Sequence, residues 1–142
     1  MQKLVIIVRG VAGSGKSTWV KNFPHPCTVV STDNYFIAKN GLYIFDRDRL
    51  HYYHQCALNL FTTLVDESIS AIIVDNTNIK KRDYKKYVSY ARSMGYTVVQ
   101  KVCCGEYGSI HDVAPETVER MKRQFQVDES LPHYEEIDDV NT

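Results

Sequence analysis

Several absences narrow this chain before any motif does. It has no net charge: 17 basic residues balance 17 acidic ones, so no global field draws it to nucleic acid or to a membrane surface. Any such affinity has to be local. It has no apolar run near the ~20 residues that a membrane helix requires, and the best stretch, Leu4–Val8, is far too short. No secretory leader pattern is present, so a cytoplasmic protein without a membrane partner is expected. The cysteines are few, Cys27, Cys56, Cys103 and Cys104, and their spacing fits no zinc pattern. Reduced thiols are expected, with a vicinal redox or metal pair at Cys103 and Cys104 as the alternative. Repeats and low-complexity tracts are also missing. What remains is a 142-residue chain, 44 % hydrophobic, enough for one domain with a proper core. The expected division is a domain over residues 1–130 and an acidic tail over 131–142.

The chain is organised around Gly10-Val-Ala-Gly13-Ser-Gly15-Lys16-Ser17-Thr18. An apolar, β-branched run, Leu4–Arg9, precedes it and reads as a buried strand. Trp19–Asn22 can continue as a helix. Strand, glycine loop and helix form the context that makes the G-x-x-x-x-G-K-[ST] pattern a phosphate site. Glycines allow backbone conformations in which successive N–H groups point inward, and the helix N-terminus adds partial positive charge. Gly10, Ala12, Gly13, Ser14, Gly15 and Thr18 are therefore expected to line a triphosphate, ATP or another nucleoside triphosphate. Lys16 is expected at the β- and γ-phosphates, and the Ser17 hydroxyl at Mg²⁺.

Thr28–Ser31 reads as a second strand. Asp33, just beyond it, stands where ligands bind in open α/β sheets. There it serves either as the base that accepts a proton from an attacking hydroxyl, or as a turn or cap residue. Asn40-Gly41 signals a turn, and Asp46 is an expected N-cap. The following helix places Leu50, Ala57, Leu58, Phe61, Leu64 and Val65 on one face. His54 falls on or beside that face, either as a packed histidine or as a ligand for substrate. Arg47 and Arg49 sit in the first turn, against the helix dipole, which makes phosphate contact a fair role for one of them.

Ser70–Val74 is nearly all apolar and reads as a strand buried on both faces. Asp75 follows it as a Walker-B acid would, positioned to hold Mg²⁺ through water, with Asn76, Thr77 and Asn78 beside it. Lys80–Lys86 carries five positive charges and opens a helix that ends at Gly95. That helix offers either a phosphate-backbone contact, with Tyr84 and Tyr87 stacking on bases, or a solvated face with core tyrosines. Thr97–Val102 reads as a fourth strand, Cys103–Ala114 as a loop. Pro115 fits the first turn of a last helix that turns Val118, Met121 and Phe125 inward. Alternating strands and helices imply a parallel sheet covered on both sides.

Four places in order, Gly10–Trp19, Ser31–Tyr35, Val74–Asn78, and Val113–Phe125 leading to Leu131-Pro-His-Tyr134, give the chain a resemblance. It resembles the 5′-hydroxyl polynucleotide kinases of the bacteriophage type and the related small P-loop kinase-like domains of larger eukaryotic proteins. The resemblance implies a three-layer α/β P-loop kinase-like fold with a central parallel sheet in the order 2-3-1-4-5. It implies transfer of the γ-phosphate of ATP, with Mg²⁺, to the 5′-hydroxyl end of DNA or RNA, single-stranded or nicked. On the motif match Asp33 falls on the general base, Lys16 on the phosphate lysine and Ser17 on the metal ligand. The acceptor is expected at Asp33, Tyr35, Arg47, Thr77 and Asn78.

The chain departs from that family twice. Phe36 stands where the family has an arginine for the acceptor phosphate. The segment Cys103–Ala114 has no arginine and is too short for the usual lid helix. Arg120, Arg123 or Arg47 would have to substitute for the lid arginine, with Arg120 the one expected at the nucleotide. A small-molecule or nucleotide kinase, and a nucleotide-binding module with little or no transfer, are the alternative functions.

Overall fold

The fold comes from a computed structural model that describes residues 2–37, 40–105 and 114–135. Its strands are β1 (Leu4–Arg9), β2 (Thr28–Val30), β3 (Ala71–Asp75) and β4 (Thr97–Val102). All pair in parallel, in the order β2-β3-β1-β4. This is the expected order over the four strands among the described residues. The expected fifth is reduced to a single parallel bridge between Gln100 and His133.

The sheet is buried on both faces because its β-branched runs alternate between two cores. Val5, Ile7, Ile72, Val74 and Val98 point to one side. They meet α2 (Leu50–Asp66) through Ala57, Phe61 and Val65, and α3 (Lys81–Ser93) through Tyr84, Tyr87 and Ala91. Ile6, Val8, Ile73 and Val99 point to the other, where Trp19 and Val20 of α1 (Lys16–Lys21) and Phe23 and Tyr134 cover them. Helices thus flank the sheet on both faces, as an α/β three-layer fold requires. A fully buried side chain such as Phe61 contributes about 1.5–3 kcal/mol.

Helix α3 decides the place of the two tyrosines in the basic segment. Tyr84 and Tyr87 are buried in the core, so neither can stack on a base. Asp46 does cap, but it caps a 3₁₀ turn, Arg47–Arg49, by accepting from the amide of Asp48 at 3.0 Å. The last helix, α4 (Pro115–Gln124), has no fully buried residue; Val118 and Met121 are half-buried.

The boundary expected at residue 130 does not mark where packing stops. Leu131 is 2 % exposed. Gln100 receives the chain with both of its backbone groups: its amide donates to Pro132 O at 2.9 Å, and its carbonyl accepts from the Tyr134 amide at 2.8 Å. Its side-chain amide donates to Asp128 O and Leu131 O. Residues 136–142 of the expected acidic tail lie outside the described residues.

Under this edge lies Arg9, the last residue of β1 and fully buried. Its guanidinium donates to Asn78 O at 2.8 Å, Gln100 Oε1 at 3.0 Å, Ile79 O at 3.1 Å and Gln126 O at 2.6 Å. It lies between the rings of Tyr84 and Phe125, 4.7 and 4.4 Å from their centres. Burial lowers its pKa, while Tyr84 and Asp128 pull it back up. A buried cation persists because its donors are paired, and all three guanidinium nitrogens of Arg9 donate to an acceptor.

Candidate active site

The carboxyl ends of β1, β2 and β3 carry the predicted residues, as open α/β sheets dictate. The glycine loop leaves β1 and enters α1. Its turn closes where the amide of Ser14 donates to Val11 O at 3.2 Å. Gly13 and Gly15 both adopt positive φ, 80° and 97°. That geometry turns successive amides inward into an anion nest. The first bond of α1 runs from the Trp19 amide to Gly15 O at 3.0 Å. The amides of Lys16, Ser17 and Thr18 therefore stand at the open helix end, ready for phosphate oxygens.

Gly10 is needed for space. A Cβ there would sit 2.4 Å from Ser14 Oγ and 2.5 Å from Cys103 O. Its amide donates to Thr77 O at 2.9 Å, and Cys103 donates to Arg9 O, so three strand ends clamp the loop. Ala12 lies in the loop turn. Ser14 Oγ is buried without a hydrogen-bond partner among the described residues.

Lys16 is half-buried, and its Nζ donates to Val11 O at 3.0 Å. Burial lowers its pKa, and Asp75, Cys103 and Asp33 oppose that shift. Burial also raises the Asp75 carboxyl, Lys16 pulls it down and Asp33 pushes it up. The lysine and both acids therefore share one electrostatic neighbourhood. Asp75 makes no hydrogen bond or ion pair among the described residues, and the Ser17 side chain is exposed. These are hard oxygen donors of the kind Mg²⁺ takes alongside phosphate oxygens. Ser17 and Asp75 thus fit as its holders. No group of three or more His, Cys, Asp or Glu converges on a metal site among the described residues.

Asp33 sits in the 3₁₀ turn Thr32–Phe36, exposed. It caps nothing. Its carboxylate accepts from the Tyr43 hydroxyl at 3.3 Å, and Tyr43 is pushed up to about 12 by burial and by Asp33. Nearby, His54 Nδ1 pairs with Thr32 Oγ1 at 2.9 Å, and Asn76 Oδ1 accepts from the Thr32 amide at 2.9 Å. Partial burial holds His54 below the ordinary histidine pKa, against the pull of Asp83 and Asp33. Asp33 therefore acts electrostatically on both Lys16 and His54.

Two expected substrate residues are engaged in the fold. Asn78 is 2 % exposed, adopts φ 47°, and donates to Val8 O at 2.8 Å. It is a turn residue that ties β3 to β1. Tyr35 is half-buried and stacks on Tyr53 with ring centres 5.5 Å apart. Thr77 is among the residues lining a cavity between α2 and α3. Arg47 and Arg120 are exposed. Among the described residues no hydrogen bond or ion pair joins Arg120 to the glycine loop. Most of the expected lid, residues 106–113, lies outside the described residues.

Phe36 is buried against Tyr43, Phe45 and Tyr53. The position that the resemblance gives to an arginine is here part of a ring cluster. Sequence reasoning also missed Arg9, and the bond that Asn76 accepts from the Thr32 amide. The signal for Arg9 was a charge closing an otherwise apolar strand.

A family model described as an AAA domain matches residues 5–106. NEDD4-binding protein 2 of Homo sapiens is 33 % identical over 141 residues, covering 91 % of this chain. The chain spans 8 % of the length of that relative. A chain of the Pnkp1/Rnl/Hen1 complex matches with a TM-score of 0.59 at 16 % identity, covering 97 % of this chain and 48 % of that one. Kti12 of Chaetomium thermophilum, solved in complex with ADP-AlF3, matches with a TM-score of 0.60 at 13 % identity, over 95 % of this chain and 90 % of its own. At these identities the two structures speak for the fold, which is that of a P-loop kinase. With its loop, sheet order and family match in agreement, the chain belongs to the AAA domain family, in its P-loop kinase-like form.

Proposed function

We propose that this domain transfers the γ-phosphate of a nucleoside triphosphate to the 5′-hydroxyl of a polynucleotide. One observation carries the reading. Asp33, just beyond β2, is an exposed carboxylate that accepts only from the Tyr43 hydroxyl among the described residues, and its charge acts on both the phosphate lysine Lys16 and the cavity residue His54. An acceptor hydroxyl at Asp33 would face a γ-phosphate held by Lys16.

The loop amides and Lys16 hold the phosphates, Lys16 exchanging its bond to Val11 O for phosphate oxygens. Asp33 orients the hydroxyl and accepts its proton as the oxygen–phosphorus bond forms. The bond from the γ-phosphorus to the β-phosphate bridging oxygen breaks, and the nucleoside diphosphate leaves. Mg²⁺, held by Ser17 and by Asp75 through water, would neutralise developing charge on the phosphates. Arg47 and Arg120 remain the proposed sources of a further positive charge. Support for a nucleic-acid acceptor comes from the basic start of α3 and from the fold shared with a chain of the Pnkp1/Rnl/Hen1 RNA repair complex.

The test offers labelled ATP to 5′-hydroxyl oligonucleotides, nucleosides and water in parallel. Asp33→Asn should keep triphosphate affinity within a few fold and lower transfer by about 10²–10⁴, the usual share of general-base catalysis. Lys16→Ala should lose triphosphate binding with the fold intact. Normal transfer by the Asn variant would remove Asp33 from the mechanism. Label on nucleosides but not on oligonucleotides would make the domain a small-molecule kinase.

A further inference from the structure

We propose that the cavity between α2 and α3 holds a phosphodiester of the acceptor strand, gripped by Arg82 and Lys86. The proposal rests on the kinase reading of Asp33 above and names where the strand goes.

The cavity encloses about 340 Å³, and its walls include His51, His54, Asn76, Thr77, Arg82 and Lys86. That volume lies within the ~300–1,000 Å³ common for ligand pockets. Arg82 and Lys86 are four residues apart on α3, so they project from one face. Neither makes a hydrogen bond or ion pair among the described residues. The acid on the same wall, Asp83, does not neutralise them by contact. Its carboxylate accepts the Lys80 amide at 2.9 Å and is directed to the start of its own helix. Two like charges at this spacing work against the helix unless an anion lies between them.

The uncharged groups on the wall are donors. Asn76 has its oxygen engaged by the Thr32 amide, which leaves its NH₂. Thr77 has its carbonyl engaged by Gly10, which leaves its hydroxyl. His54 has Nδ1 paired with Thr32 Oγ1, and in the tautomer in which Nδ1 accepts that bond its Nε2 donates. Two cations and these donors fit a group with several oxygens and negative charge.

The cavity adjoins the proposed chemistry. Asn76 and Thr77 directly follow Asp75, and Asp33 is close enough to His54 to act on its charge. A strand with its terminal hydroxyl at Asp33 would bring its next phosphate in on the His54 side. The position after the base cannot meet that phosphate, because Phe36 is 3 % exposed inside its ring cluster. The positive charge is supplied instead from α3.

The test measures binding of a fluorescent 5′-hydroxyl single-stranded oligonucleotide to the full chain at several salt concentrations. Arg82→Gln and Lys86→Gln should each weaken binding by about tenfold or more, the value of a lost charge-assisted hydrogen bond. Each should also flatten the log–log salt slope by about 0.7, one phosphate contact on a single strand. Lys85→Gln, at a residue that lines a neighbouring depression with Lys86, Ser89, Tyr90 and Ser93 but not this cavity, should change affinity less than twofold. In transfer assays the two cavity variants should raise KM for the oligonucleotide and leave KM for ATP and kcat in place. Wild-type affinity in both cavity variants, equal loss in the Lys85 variant, or no strand binding by the wild type would overturn the proposal. So would equal competition by a nucleoside monophosphate, which would make the occupant a free nucleotide. Strand binding that depends on Arg82 and Lys86 without any transfer would uphold the cavity and sink the kinase reading. Transfer unaffected by either substitution would do the reverse.

Discussion

His54 shows what the fold does to a single residue. Partial burial keeps its pKa below the ordinary value of 6.5, although Asp83 and Asp33 pull it up and His51 pushes it down. The unfolded chain takes up that proton near its ordinary pKa, and the folded chain only at lower pH. In the window between them the unfolded state binds more protons, so stability falls as pH falls. Above that window both states are neutral and His54 contributes nothing. His54→Gln, which can still meet Thr32, should therefore gain stability relative to wild type as pH drops from about 7.5 to 5.5. Urea unfolding of both proteins at several pH values checks this; a pH-independent difference would refute it. The residue scale is also where sequence reading divided most sharply. Lys16 and Asp33 were legible because their motif positions name their neighbours. Asn78 was not, since the same tetrapeptide end, Asp75–Asn78, supplies a free carboxylate at one position and a buried turn residue at another.

At the scale of elements, the glycine loop and α3 behave differently. The loop is held by short-range geometry and by two neighbouring strand ends, so its chemistry follows from its own sequence. Gly10→Ala tests that directly. The added methyl would meet Ser14 Oγ at 2.4 Å and Cys103 O at 2.5 Å, and the backbone carbonyl cannot rotate away as a side chain can. We expect a loss of about 1–3 kcal/mol, the usual penalty for overpacking. A lowered midpoint in thermal or urea unfolding, with weaker triphosphate binding, is the expected result; an unchanged midpoint would show that the loop relaxes. Helix α3 was ambiguous in sequence, because its tyrosines and its cations follow helical spacing equally well. Packing separated them: Tyr84 and Tyr87 went to the core, and Arg82 and Lys86 to the cavity wall.

Across the whole molecule, Arg9 joins the start of the nucleotide loop to the far end of the chain. It ties β1 to the β3–α3 connection, to Gln100 on β4 and to Gln126. The segment beyond α4 is fastened there and at Asp128, which accepts from the Tyr84 hydroxyl at 2.7 Å and from Ser130. Arg9→Met would keep much of the packing volume and strand the acceptors. Each buried acceptor left without a donor costs about 1–3 kcal/mol, so the variant should unfold at markedly lower urea. Limited proteolysis should cut it first after α4, where the strap loses its anchor. Wild-type stability would mean that the strap is held by Leu131 and Gln100 alone.

Sequence alone was enough for the parallel sheet, the glycine loop, the lysine and hydroxyl within it, and the acids after β2 and β3. Those features are local or periodic: a strand reads from its neighbours two residues away, and a loop motif contains its own partners. The burial of Arg9, the bond from Asn76 to Thr32, the ring cluster around Phe36 and the return of Leu131–Tyr134 along β4 were out of reach. Each joins residues distant in the chain, and nothing in a residue's own surroundings tells which remote carbonyl or ring will stand opposite it. The cavity between α2 and α3 belongs to the same class. It exists because two helices, joined through β3, pack on one face of the sheet with their polar residues left facing each other at its rim.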